Sequence, residues 1–171
     1  VVSVNDNPIA QNDANSTTED VNLTVSTANG VLNNDSDVDS NLIVTRFFVK
    51  GVPYLAGETA SPAEGDITLN SDGSYTFEPT NNFNGTYPTI TYTASDNIET
   101  VNADLVITVI PANDTPIVVA DTNSTNEGVT LTVPATGILG NDSDIDTGDT
   151  LKVIRFTVAS QTIIVDPTNG G

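Results

Sequence analysis

The chain has 171 residues, 23 acidic and 4 basic, and its net charge of −19 excludes the Lys- and Arg-rich surfaces that bind nucleic acids or anionic membranes. It contains no Cys and no His, which excludes disulfides and argues against zinc or copper centres. No run of about 18 apolar residues occurs, so no transmembrane helix is predicted. No signal peptide is visible, and Val1 is interpreted as the start of a fragment.

The predicted elements are all β-strands, because apolar residues alternate with Thr, Val and other residues that suit half-buried strands. In chain order the predicted strands cover residues 21–25, 43–49, 67–69, 75–77, 90–94 and 101–109. The stretch ITLNSDGSYTF predicts a hairpin that turns at Asp72 and Gly73, and Phe83 is predicted to plug the core beneath a loop. Seven or so strands in roughly 108 residues predict an all-β fold, an antiparallel Greek-key β-sandwich.

The chain repeats itself. PIAQNDANSTTEDVNLTV, from Pro8, matches PIVVADTNSTNEGVTLTV, from Pro116, and GVLNNDSDVDS, from Gly30, matches GILGNDSDIDT, from Gly137. A period near 108 residues is too long for a solenoid unit and indicates tandem copies of a small domain. The predicted organisation is the end of a preceding repeat with its linker (1–7), a complete repeat (8–112), a linker (113–116) and the N-terminal half of a second, incomplete repeat (117–171).

Acidic residues concentrate in predicted loops and linkers rather than on strand faces. The loop NNDSDVDS places Asp35, Asp37 and Asp39 at every second position, and the second copy repeats this pattern. In an extended segment alternate side chains point the same way, so these carboxylates crowd one side of the loop. Such hard oxygen ligands suit Ca²⁺, which takes six to eight oxygens at about 2.3–2.6 Å. The alternative is that these residues only form Asx-turns, and for the isolated Asp13 and Asp121 both interpretations stay open.

Neither acidic loop is an EF-hand. That loop requires Gly at position 6 and Glu at position 12, but counting from Asp35 these positions hold Ser40 and Arg46. The second copy fails in the same way, and the Gly-rich nonapeptide calcium repeat is also missing from the sequence. Any calcium ligands must therefore come from separate segments of the chain.

Several motifs, in a fixed order, resemble a known family: NDNP or NDTP, TED or TNEG, GVLNNDSDVD, DGSYTFEPTNNFNG and YTASDN. Together they look like the cadherin-like tandem repeats of giant bacterial calcium-dependent surface adhesins. The resemblance implies cadherin- or immunoglobulin-like sandwiches in tandem, outside the cell, that extend distal binding domains for cell adhesion or biofilm formation. It implies Ca²⁺ as cofactor and neighbouring repeats of the same chain as partners, with no nucleic acid, no direct membrane contact and no binding of the distal adhesive ligand by this segment.

The resemblance also implies which oxygen-bearing residues hold calcium where repeats meet. Gly128 stands at the position of Asp20, and Glu78 has no counterpart in the half-repeat. The implied metal ligands are Asn5, Asp6, Asp35, Asp37, Asp39 and Asp96 at the N-terminal end of the complete repeat; Glu19, Asp20 and Glu78 at its far end; Asn113 and Asp114 in the linker; and Glu127, Asp142, Asp144 and Asp146 in the second copy.

Two other classes of function remain to be weighed. A glycosidase needs two positioned carboxylates, but a catalytic site is rarely duplicated together with its linker, so no catalytic residue and no enzyme are predicted. A carbohydrate- or surface-binding β-sandwich module is the stronger alternative. Such sites usually present aromatic platforms, whereas this chain has no Trp, 4 Tyr and 5 Phe. Binding of the isolated chain to a glycan array would favour this alternative over a spacer.

Overall fold

The computed structural model describes residues 4–134, 137–158 and 161–164, the last of these as backbone only. Parts of the predicted segments 1–7 and 117–171 therefore lie outside the described residues. The chain divides into two compact units, Val1–Ala112 (the first unit) and Asn113–Gly171 (the second unit). The strands are β1 (Asp13–Thr18), β2 (Leu23–Val25), β3 (Ile43–Val49), β4 (Val52–Leu55), β5 (Thr59–Ala60), β6 (Gly65–Leu69), β7 (Tyr75–Pro79), β8 (Gly85–Thr86), β9 (Ile90–Ser95), β10 (Thr100–Ile110), β11 (Arg155–Val158) and β12 (Gln161–Ile164), with short 3₁₀ turns at Thr27–Asn29 and Gly137–Leu139.

The first unit consists of two sheets. One has the order β1–β10–β9–β3–β4, with β8 also beside β10, and the other has the order β2–β7–β6–β5. Neighbouring strands are antiparallel except for β1, which runs parallel to β10 from Asp13, opposite Leu105, to Thr18, opposite Ile110. The chain changes sheet after β1, β2, β4 and β7. The predicted all-β sandwich is confirmed, with one parallel pair among its strands.

One apolar core lies within the first unit. Phe47 of β3, Phe77 of β7 and Leu105 of β10 are each at most 1% exposed. The Phe77 ring also packs edge-on against Tyr87, with 4.8 Å between ring centroids. Each such side chain contributes roughly 1.5–3 kcal/mol when fully buried, which stabilises a domain that has no disulfides. Phe83 is partly buried against this core, as predicted.

The strongly alternating segments form the central strands β3, β6, β7, β9 and β10. The β6–β7 hairpin turns where predicted: Gly73 has φ +81°, and its N–H donates to the carbonyl of Asn70 at 3.1 Å. The short strands β4, β5 and β8, and the parallel strand β1, are not predicted. The sequence of β1 is DANSTT, which offers no large apolar residue, so this strand depends on backbone pairing with β10.

The second unit shows no buried side chain among its described residues. Ile138 and Phe156 are 53% and 44% exposed, whereas their counterparts in the first unit, Val31 and Phe47, are 1% and 0% exposed. In the first unit these residues belong to a core that also includes side chains of β7, β9 and β10, and residues 113–171 contain no sequence counterparts of those strands. The half-repeat therefore has the apolar residues of a core without the strands that would cover them.

We expect the backbone amides of residues 120–134 to exchange rapidly with deuterium in a dilute monomer. This stretch is exposed and none of its described residues lies in a strand, so little protects its amides from water. Hydrogen-exchange mass spectrometry at neutral pH provides the measurement, with β9 and β10 as the internal reference for slow exchange. Slow exchange across residues 120–134 would contradict the view that the second unit lacks a core of its own.

Candidate metal site

Three segments form what we call the acidic end of the first unit: the N-terminal segment 4–12, the acidic loop 30–42, and the turn 96–99 between β9 and β10. Ile9 and Ser36 exchange two backbone hydrogen bonds, each of 2.9 Å, in an isolated antiparallel bridge. This bridge holds the N-terminal segment along the acidic loop and brings residues far apart in the sequence to one place.

Asp96 begins the turn between β9 and β10 and is only 3% exposed. Its Oδ1 accepts the backbone N–H groups of Ile98 and Glu99 at 2.7 and 2.6 Å, and its Oδ2 accepts the Nδ2 of Asn5 at 2.7 Å. The hydrogen bond from Asn5, followed by those from the backbone, lowers the pKa of Asp96 below its ordinary value. The structure thus brings together two predicted ligands, Asn5 and Asp96, with the latter held as a carboxylate.

The acidic loop folds around its own carboxylates. Asp37 Oδ1 accepts the N–H groups of Asp39 and Ser40 at 2.8 and 2.7 Å, and Asp39 Oδ2 accepts the N–H of Asp6 at 2.9 Å. The other oxygen of Asp37, Oδ2, is shielded from solvent and has no hydrogen-bond partner in the described part of the chain. A buried carboxylate oxygen without a donor is costly, roughly 1–3 kcal/mol or more. A buried, unpartnered carboxylate oxygen fits a ligand of a hard cation.

Asp35 has a different environment. Its Oδ1 accepts the N–H of Gln11 at 2.8 Å and its Oδ2 accepts the hydroxyl of Tyr92 at 3.0 Å. The same hydroxyl lies 3.0 Å from Asp13 Oδ2 and 3.0 Å from the carbonyl of Val31. Both oxygens of Asp35 therefore already have protein donors, and the residue ties the acidic loop to the rest of the fold.

Burial changes the acidity of this group of side chains. Burial raises the pKa of Asp13 to about 6; the Tyr92 hydrogen bond opposes this shift and the nearby charge of Asp35 adds to it. Burial also raises the pKa of Asp35. The sequence left the role of Asp13 open, and the structure places it at the acidic end beside Asp35. This location could not be inferred from the sequence, because β1 has no large apolar residues to indicate which of its side chains point inward.

The second unit repeats the contacts of the acidic loop. The N–H of Asp114 donates to Asp146 Oδ2 at 2.7 Å, the N–H of Asp146 to Asp144 Oδ1 at 3.0 Å, and the N–H of Val119 to Asp142 Oδ1 at 2.8 Å. An isolated backbone bridge again pairs the linker segment with the loop. Because this arrangement forms where no described side chain is buried, the loop geometry is encoded by the local sequence.

The second acidic loop carries one carboxylate more than the first. Relative to the first copy it contains two inserted residues, Gly148 and Asp149. One carboxylate oxygen from each of Asp144, Asp146 and Asp149 lies within 4.8 Å of the others. Asp149 was not predicted as a ligand, although the insertion between the two copies was a signal for it. Carboxylates at this separation repel one another, and a bound cation would relieve the repulsion.

At the far end of the first unit, Glu19 is 3% exposed. Its Oε2 accepts the Nδ2 of Asn84 at 3.0 Å, and its Oε1 accepts the backbone N–H of Ala112. The neighbouring Asp20, with φ +59°, accepts the N–H of Asn82 at 2.9 Å. Both carboxylates therefore organise backbone within the first unit, and Glu19 fixes the last residue before the predicted linker.

Three predicted ligands remain: Glu78, Glu127 and Asn113. Glu78 is exposed on β7, directly opposite Asp66 of β6. Glu127 lies in an exposed stretch of the second unit, and Asn113 donates from Nδ2 to the carbonyl of Asp114 at 2.7 Å. Among the described residues, no hydrogen bond joins Glu78 or Glu127 to another predicted ligand. The geometry supports the acidic loops and the linker residues more strongly than these two glutamates.

Of the comparisons with known proteins, the one with domain families gives a match that covers most of the chain. The profile of the bacterial cadherin-like domain matches residues 5–111. No curated protein matches the chain. A solved structure of a nucleoside hydrolase-related hypothetical protein from Saccharophagus degradans, associated with carbohydrate metabolism, is 17% identical with a TM-score of 0.41, and the match covers 61% of this chain and 26% of that one. The chain thus spans about a quarter of that structure, and a similarity this low says nothing about function.

Proposed function

The chain belongs to the bacterial cadherin-like domain family, and on that premise we propose that it is a calcium-stiffened extender repeat of a bacterial cell-surface adhesin. In this role the sandwich is a spacer. Calcium bound at the acidic end of each repeat stiffens the junction between successive repeats, and the stiff array holds distal binding domains away from the cell for adhesion or biofilm formation.

The observation that carries this proposal is the buried oxygen of Asp37. Its partner oxygen is fixed by two backbone N–H groups, so the carboxylate is held with Oδ2 directed to a place where no protein donor meets it. Asp39, Asp96 and Asn5 supply further oxygens in the same three segments. With neither Cys nor His in the chain, every side-chain donor available to a metal here is a hard oxygen, the type that calcium prefers.

When bound, calcium supplies positive charge that offsets the crowded carboxylates. The residues of the chain do the rest. Backbone N–H groups orient one oxygen each of Asp37 and Asp39, and the Asn5 amide orients Asp96, so the ligands do not have to be ordered by the ion alone. Calcium affinity in extracellular modules is typically only 10⁻⁴–10⁻³ M, and such pre-ordering reduces the entropic cost of binding.

The spacer role is not enzymatic and places the chain outside the cell. Within the described ranges, no helix has both the length and the apolar character needed to cross a bilayer. The glycan-binding alternative gains no support from the site: large aromatic side chains such as Phe47, Phe77 and Tyr92 are buried in the core rather than arranged as a surface platform.

The proposed stiffening predicts a change of shape on calcium removal. We expect a tandem chain, in which the second copy is completed with residues 64–112 of the first, to be longer with calcium than with EDTA. A stiff array extends in proportion to its number of domains, whereas a flexible one grows only as about the square root of its length. Small-angle scattering measures the longest dimension and the breadth of the distance distribution.

The double substitution Asp142→Ala and Asp144→Ala should give the EDTA profile even in saturating calcium. The matched control is Asp104→Asn, which removes a carboxylate from the middle of β10 and leaves the acidic loops unchanged. Identical profiles for all conditions and variants would rule out stiffening by calcium, even if titration showed that the ion binds.

A further inference from the structure

We propose that Tyr92 is a positioning residue for the acidic end: its buried hydroxyl fixes the acidic loop against β1 and β9 and thereby sets the spacing of the carboxylates that receive calcium. The calcium part of this inference rests on the proposed function. Its structural part, the ordering of the acidic loop, requires no ion and can be tested separately.

Four oxygens surround the Tyr92 hydroxyl, and the residue is 0% exposed. The hydroxyl oxygen lies 3.1 Å from the carbonyl of Gln11, 3.0 Å from Asp13 Oδ2, 3.0 Å from the carbonyl of Val31 and 3.0 Å from Asp35 Oδ2. These oxygens belong to the N-terminal segment, to β1 and to the acidic loop. One atom on β9 is therefore the common point of contact for all three.

A phenolic hydroxyl has a single hydrogen to donate, so it cannot satisfy four acceptors at full strength. It still provides a positive partial charge that oxygens of all three segments share. Without it, the carbonyl oxygens of Gln11 and Val31 and the Oδ2 atoms of the two carboxylates would lose the donor that they share, and a buried acceptor that loses its donor is costly. Removing the hydroxyl should therefore push the acidic loop away from β1.

Tyr92 also connects the segments that carry the proposed ligands. Asp35, which it contacts, stands two residues before Asp37 in the acidic loop. Asp96 follows Tyr92 by four residues, directly after the end of the same strand. Groups that orient metal ligands without contacting the metal themselves typically contribute 10- to 100-fold to metal affinity, which is lost when they are removed. Residues 113–171 contain no sequence counterpart of Tyr92.

The chain offers a matched control in Tyr87. It is 1% exposed, and its hydroxyl donates to the carbonyl of Gly65 at 3.2 Å, on the other sheet. Tyr87→Phe and Tyr92→Phe therefore remove the same atom from two buried rings of the same core. A loss of general stability should appear in both variants, whereas a loss of order in the acidic loop should appear only in Tyr92→Phe.

Isothermal titration of calcium into the full chain is the first test. We expect Tyr92→Phe to raise the Kd of the site in the first unit about tenfold or more, and Tyr87→Phe to leave it unchanged, although both variants melt at lower temperature in EDTA. An unchanged Kd in Tyr92→Phe, or an equal increase in both variants, would overturn the inference.

Hydrogen exchange by NMR in EDTA is the second test and needs no bound ion. The amide of Gln11 donates to Asp35 and that of Ser36 donates to Ile9, so both report on the acidic loop. We expect these amides to be protected in the wild type and to exchange about tenfold faster in Tyr92→Phe but not in Tyr87→Phe. Rapid exchange in the wild type, or no change in Tyr92→Phe, would overturn positioning. A wild type that binds no calcium would instead overturn the proposed function.

Discussion

Chelation of calcium should lower the melting temperature of the first unit by about 10 °C. At about one hundred times Kd, one site that binds only the folded state adds roughly 2.7 kcal/mol to the free energy of unfolding. For a domain of this size each kcal/mol corresponds to about 4 °C. Differential scanning calorimetry in magnesium-free buffer, with calcium or with EDTA, measures the shift. A melting temperature that does not respond to EDTA would show that the acidic end does not bind calcium with useful affinity.

The substitution Asp37→Asn tests whether the acidic end is the site that causes the calcium-dependent shift in melting temperature. The amide oxygen of Asn can still accept the two N–H groups of Asp39 and Ser40 that Asp37 Oδ1 accepts, so the loop should keep its fold. The buried second oxygen, however, is replaced by a neutral donor, which repels a cation. We expect most of the calcium-dependent shift to disappear in this variant and to persist in Asp104→Asn, which removes the same charge from β10. Equal behaviour of the two variants would place the ion elsewhere.

Asp13→Asn should make the calcium-free first unit more stable at pH 7.5, and much less so at pH 4.5. The pKa of Asp13 is raised from 3.8 to about 6 in the folded state, chiefly by burial. A carboxyl whose pKa is raised on folding stabilises the fold while it is protonated, below about pH 4, and loses that contribution as the pH rises through about 6. The full shift corresponds to roughly 3 kcal/mol, and partial solvent exposure of Asp13 reduces this to about 1–2 kcal/mol.

Urea unfolding in EDTA at several pH values measures this contribution. Because other carboxylates shift in the opposite direction, as Asp96 does, the informative quantity is the difference between wild type and Asp13→Asn at each pH. Asp104→Asn again controls for the loss of one negative charge. If the difference between wild type and Asp13→Asn were the same at pH 4.5 and 7.5, the buried position of Asp13 would not be affecting its ionisation.

Features encoded by neighbouring residues could be predicted from the sequence. The alternation in β3, β9 and β10, and the turn at Asp72 and Gly73, depend on local patterns, and each element lies where it was predicted. The acidic loops belong to the same class: Asp37 accepts N–H groups from residues two and three positions later, so its conformation is determined within the loop itself.

Features that depend on distant pairing could not be predicted. The strand β1 has no apolar alternation and forms because β10, about 90 residues later, provides hydrogen-bond partners. That pairing places Asp13 within hydrogen-bond distance of the Tyr92 hydroxyl. No sequence motif indicates that the hydroxyl of a core tyrosine would lie among four oxygens. Glu19 was predicted as a metal ligand from a resemblance, whereas its contacts with Asn84 and Ala112 follow only from the folded chain.

The parallel pairing of the first and last strands of the first unit has a mechanical consequence. Tension on the chain enters β1 at Asp13 and leaves β10 at Ile110, which lie at opposite ends of the paired segment. The load therefore acts along the strands, and the hydrogen bonds between Asp13–Thr18 and residues 105–110 are sheared together rather than opened one after another. Simultaneous rupture requires more force than unzipping. A single domain of this topology is thus suited to bear tension along the chain.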